Sequence, residues 1–93
     1  FSGSPVKRLG RNRFVRNVLI AIGNSGQVAF LEVVTPLLSD GSPIIRVAAV
    51  WALGQLATPE IYGQHFDILV GQETDDAVRT EWVLSKGNEN EQA

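Results

Sequence analysis

The chain has 93 residues, 44% hydrophobic and 19% charged, which suits one globular domain with a modest core rather than a disordered segment or two independent units. It contains no cysteine, which excludes disulfides, thiolate metal sites, iron–sulfur ligation and thiol nucleophiles within these residues. The net charge of −2 hides a split: Lys7, Arg8, Arg11, Arg13 and Arg16 all precede the first acid, Glu32, so residues 1–26 carry a formal +5 and residues 27–93 a formal −7.

No apolar run approaches the roughly 20 residues that a membrane-spanning helix needs, and Phe1-Ser2-Gly3-Ser4-Pro5 lacks the apolar stretch of a signal peptide. The expectation is a soluble, cytoplasmic chain without a membrane partner. It starts at Phe1 and has no methionine, so it reads as a piece of a longer protein.

Phe1 to Gly10, punctuated by Gly3, Pro5 and Gly10, reads as an irregular segment. Helix is expected from Arg11 to Ile22, with Phe14, Val15, Val18, Leu19, Ala21 and Ile22 on an inward side and Asn12, Arg13, Arg16 and Asn17 on a polar one. Gly23-Asn24-Ser25-Gly26 ends it, Gly23 serving as a left-handed cap. Gln27 to Ser39 is a second helical stretch, which Pro36 should kink or split.

Asp40-Gly41-Ser42-Pro43 is a turn, and Pro43 opens a helix to Leu56 that is apolar nearly all round and belongs at the centre of the fold. Thr58 caps a shorter helix from Pro59 to Val70, and a last helix runs from about Asp76 to Ser85. Residues 86–93 are expected to be a frayed tail.

Self-similarity organises these helices. Ala21-Ile22-Gly23-Asn24 matches Ala52-Leu53-Gly54-Gln55 at an offset of 31, and Trp51-Ala52-Leu53 matches Trp82-Val83-Leu84 at the same offset. Three copies of one inner helix follow, with Trp51 and Trp82 as equivalent core residues. The Ser-Pro pairs at 4–5 and 42–43 are 38 apart, so the first copy holds seven extra residues, and the cations cluster there.

A two-helix unit with an acid and an arginine near the start of its second helix resembles the HEAT-like repeat. The fold class expected is therefore all-α, a HEAT-like α-solenoid fragment of about five helices forming a single domain over residues 1–93. Asp40 with Arg46, and Asp75 or Asp76 with Arg79, fit the acid–guanidinium pairing of such stacks and read as structural.

The order Gly3-Ser4-Pro5-Val6-Lys7-Arg8, Gly10-Arg11-Asn12-Arg13, Arg16-Asn17 and Ile20-Ala21-Ile22-Gly23-Asn24 resembles the segment that follows the second iron–sulfur motif of the epoxyqueuosine reductase family. Val47 to Gly54 resembles that family's next helix, and the two together cover about half of the chain. The resemblance implies a parent enzyme that uses cobalamin and two 4Fe-4S clusters to reduce epoxyqueuosine in transfer RNA, with this chain as part of its C-terminal HEAT-like region. The cluster cysteines are absent here, and no cofactor-binding residue is assigned to these 93. Arg79-Thr80-Glu81-Trp82 departs from the pattern, with arginine and tryptophan closer together than Arg46 and Trp51 are, which leaves the register of the last helix open.

Two functions compete. In the first, Lys7, Arg8, Arg11, Asn12, Arg13, Arg16 and Asn17 position a transfer RNA near its anticodon stem-loop through backbone phosphates. Lys7 and Arg8 have a second use open to them, facing the catalytic domain or cofactor of the parent chain. In the other, the stack is a protein-interaction scaffold and the cations are a solvated face.

An enzyme in its own right lacks a constellation. His65 is the only histidine, Asp75-Asp76 has no metal-ligand spacing, and Gly23 to Gly26 follows a helix without the strand a phosphate cradle needs.

Overall fold

The computed structural model describes the backbone of residues 5–92 and the side chains of residues 10–86. Among these the chain is helical, with five α-helices and no strand: α1 Pro5–Ser25, α2 Leu31–Leu37, α3 Pro43–Leu56, α4 Pro59–Leu69 and α5 Asp76–Gln92. Single 3-10 turns precede α2 and follow α4. α1, α3 and α5 form an inner layer, in which α3 packs between α1 and α5 while α2 lies against α3.

Why α3 is central follows from its sequence. Ile45, Ala48, Ala49, Val50, Ala52, Leu53 and Leu56 leave almost no polar arc, and all seven are buried. Leu19 and Ile22 from α1, Val34 and Leu38 from the α2 region, Tyr62 from α4, and Val78 and Trp82 from α5 complete one core. Tyr62 turns its polar end inward and donates to the Trp82 carbonyl at 2.6 Å, so its hydroxyl is not stranded when its ring is buried.

Local signals set most helix ends. Pro43 and Pro59 open their helices where the missing N–H costs nothing, and the Thr58 hydroxyl accepts from the Ile61 N–H at 3.3 Å. Asp75 does the same for α5, accepting from Val78 N–H at 3.1 Å. Pro36 sits in the last turn of α2, which closes through i−3 bonds from Leu38, Ser39 and Asp40.

Four expectations are corrected here. α1 begins at Pro5, so residues 5–10 of the expected irregular segment are helix, with Gly10 inside it, while residues 1–4 lie outside the described residues. The cap is Gly26, at φ +68°, whereas Gly23 is helical. Gly23 is small for another reason: a Cβ there would overlap the Trp51 ring, so its bare backbone is what lets α1 and α3 approach. Finally, α5 continues as helix to Gln92 beyond the expected end near Ser85.

The fourth correction concerns register. Trp82 is 1% exposed, while Trp51 is only half buried, so the two tryptophans are not equivalent. The buried strip of α5, Val78, Trp82 and Ser85, matches Ile45, Ala49 and Ala52 of α3 at an offset of 33, not 31. Asp40 and Glu73, and Arg46 and Arg79, share that same offset.

Candidate functional site

Around α1, at about 100° per residue, the buried strip is Asn12, Leu19, Ile22 and Gly23, with Val15 half buried. That strip faces α3. Phe14 is 69% exposed and Val18 is exposed too, which contradicts their expected place inside. Because α1 packs mainly on α3, one narrow seam suffices, and the wide apolar arc read from the sequence is only partly used.

Asn12, expected on the polar side, lies on the buried strip instead. It is 8% exposed and accepts from the Arg11 guanidinium at 3.2 Å. Arg11 is half exposed, and its guanidinium meets the Asp40 carboxylate at 2.7 Å. The hydrogen bond from Arg11 is the largest cause holding Asp40 below its usual carboxylate range, and the same contact raises Arg11 above its usual value. Its charge is answered within the chain.

Arg13 and Arg16 stand differently. Both are exposed, and neither has an ion-pair or hydrogen-bond partner among the described residues. They share a shallow groove with Asn12 and Ile44, and Arg16 also lines a groove continuing between α1 and α3 past Ile20, Asn24, Val47 and Trp51. One carboxylate, Glu81 of α5, also lines that groove and accepts from the Ser85 hydroxyl at 2.8 Å. Asn17 is exposed on the same helix. Lys7 and Arg8 lie outside the residues whose side chains are described.

The arginines occupy chosen positions. Thirty-one residues on from Arg13, Arg16 and Ile20 stand Ile44, Val47 and Trp51 of α3. The repeat thus keeps its shape while two of these three groove positions, 13 and 16, are cationic where α3 has apolar residues.

Sequence reasoning missed Glu73, the partner of Arg46. Arg46 Nε donates to Glu73 Oε1 at 3.0 Å and its terminal nitrogen to Oε2 at 2.9 Å, while the other nitrogen donates to the Asp40 carbonyl at 2.8 Å. Burial alone would push Glu73 up, but the Arg46 fork and the backbone N–H groups of Asp75 and Thr74 carry it below its usual value. Arg79 makes no ion pair among the described residues, and Asp75 is spent on capping. The offset of 33 linking Asp40 to Glu73 was the available signal. Trp51 and Glu81, as groove residues, carried none.

No group of three or more His, Asp or Glu among the described residues could hold a metal ion. With no cysteine in the chain, the residues present do not fit an iron–sulfur cluster, and no chemical step is assigned to one here. No helix among the described residues is long and apolar enough to cross a membrane.

The HEAT repeat family matches residues 30–58, the span of α2 and α3. Among curated proteins, the chain is 35% identical over 54 residues to an epoxyqueuosine reductase of Xanthomonas campestris pv. campestris, covering 57% of this chain and 15% of that protein. It is 31% identical over 61 residues to an epoxyqueuosine reductase of Alicycliphilus denitrificans, covering 57% of this chain and 17% of the relative. The chain thus resembles a part of such a reductase and spans less than one fifth of the length of these relatives. No solved structure matches it.

Proposed function

We propose that this chain is a transfer-RNA-positioning module of a protein like epoxyqueuosine reductase, holding its RNA by backbone phosphates along the α1 groove. The observation that carries the reading is the pair Arg13 and Arg16, exposed and unpartnered among the described residues, where the next repeat has Ile44 and Val47. Two guanidiniums on adjacent turns suit successive phosphates, and Asn17 and Asn24 add neutral donors. Lys7 and Arg8 extend the same basic run and remain part of the proposed site. Such contacts set register and affinity without reading bases, so selectivity and any cobalamin or cluster chemistry belong to other parts of the longer protein.

Glu81 gives the groove a direction, since a phosphate chain is repelled at the α5 end and favoured at the Arg13 end. The test is titration of an anticodon stem-loop at several salt concentrations. Two to four phosphate contacts should give a log–log salt slope of roughly −1.5 to −3.5. Absence of binding even at low salt would reject the reading in favour of a protein-interaction scaffold, the role the HEAT match also accommodates.

A further inference from the structure

α1 and α3 carry one motif 31 residues apart, yet they are covered unequally. Ile45, Ala49 and Ala52 form a single strip of α3, and each is fully buried. The residues 31 earlier are Phe14, Val18 and Ala21, all exposed. The strip has kept its apolar character and lost its cover. On α3 the outer layer is supplied by α2, the helix that precedes it by a short turn, with Val34 and Leu38 buried in the shared core. α4 stands in the same order before α5.

A second comparison limits what can cover α1. The α3 residues that line the groove with α1 include Ile44 and Ala48, and their counterparts on α1 are Arg13 and Asn17. That side of α1 is unsuited to a further inner helix. The apolar strip, by contrast, continues without a break into a groove formed with Ile22, Phe30 and Val33, and Ile22 belongs to the core. Its occupant is accordingly a single helix laid alongside α2 in the outer layer.

We propose that Phe14, Val18 and Ala21 are the docking strip for an amphipathic helix with aliphatic residues spaced three and four apart. That helix is supplied by polypeptide N-terminal to Phe1 and lies within one repeat length of α1. Repeat order selects this source, since each outer helix visible here directly precedes its inner helix. The length of the curated relatives leaves ample chain to provide it. With it in place, α1 becomes the second helix of a complete first repeat whose polar side, Arg13 and Asn17, ends the inner layer. The inference does not depend on the RNA reading.

The test uses the full-length polypeptide that carries these residues, with Phe14 replaced by the photocrosslinker p-benzoylphenylalanine. Illumination should give an intramolecular crosslink that mass spectrometry maps to one face of a helix upstream of Phe1. Hydroxyl-radical labelling of the unaltered protein should show Phe14 at least several-fold less oxidised in the full-length polypeptide than in the 93-residue chain. A crosslink to a second copy, to a separate protein, to RNA or to residues downstream of α1 overturns the proposal. So does Phe14 oxidised equally in both forms.

Discussion

Arg46 and Glu73 meet through two parallel hydrogen bonds, at 3.0 and 2.9 Å, across 27 residues of sequence. Arg11 and Asp40 meet one repeat earlier at 2.7 Å, and Arg46 reaches back to the Asp40 carbonyl. Each acid therefore follows an outer helix and answers an arginine of the inner helix before it. The result is a polar ladder that ties α1, α3 and the loop before α5 into one register, alongside the apolar core.

Breaking the inner rung should cost more than the outer one. Both side chains of the Arg46–Glu73 pair are largely buried, so Arg46→Ala leaves a carboxylate without its partner and should destabilise by about 3 kcal/mol. Arg11 is half exposed, and Arg11→Ala should shift the denaturation midpoint far less. Urea titrations of the two variants check the order, and equal losses would contradict it.

The ladder also sets an acid limit. Asp40 and Glu73 are both held below their ordinary values in the folded chain, so the unfolded chain binds protons first as the pH falls. Their stabilisation is complete above about pH 5 and is lost as the pH drops through the ordinary carboxylate value and then the lower folded one. Urea midpoints should be flat between pH 6 and 7 and fall below about pH 4, with a shallower fall in Glu73→Gln.

Gly23 tests the closest approach of the inner layer. An alanine keeps the helix and improves its intrinsic propensity, yet its methyl would overlap Trp51. Gly23→Ala should destabilise by about 1–3 kcal/mol, and the double variant Gly23→Ala with Trp51→Ala should lose less than the sum of its parts. A stabilised single variant would show that α1 and α3 are farther apart.

The tryptophans separate core from groove. Trp82, fully buried beside Tyr62 at 5.3 Å and Phe66 at 6.0 Å, should cost about 3–5 kcal/mol when changed to alanine. Trp51→Ala, at a half-buried groove position, should cost clearly less. Thermal melts of both variants settle the ranking, and the reverse order would restore an offset of 31 throughout.

That offset shows what the sequence made legible. α3 and α4 could be placed from Pro43, Thr58 and Pro59, because caps and prolines act locally and need no knowledge of neighbours. Which face of α1 is buried depends on which helices surround it, and the apolar residues of α1 occupy more of its circumference than one packed seam requires. Asn12 was consequently put outside and Phe14 inside. For α5 the Trp-x-Leu match at 31 outweighed the acid and arginine match at 33, although the latter governs the packing. Of the candidate site, Arg13, Arg16 and Asn17 emerge exposed on α1, while the commitment of Arg11 to Asp40 needed three dimensions, since 29 residues separate them.

The basic groove predicts unequal arginines. Arg13 and Arg16 have no carboxylate partner among the described residues, so changing either to alanine should leave the melting temperature nearly unchanged while lowering affinity for the stem-loop and reducing its salt slope by about 0.8. Arg11→Ala, whose charge Asp40 already answers, should leave the slope unchanged. Glu81→Gln removes the one acid that lines the groove among the described residues and should tighten binding most at low salt. Filter binding across a salt series compares all four proteins under one condition. If Arg11→Ala flattened the slope as much as Arg13→Ala, phosphates would lie on both flanks of α1, and the groove would not be what confines them.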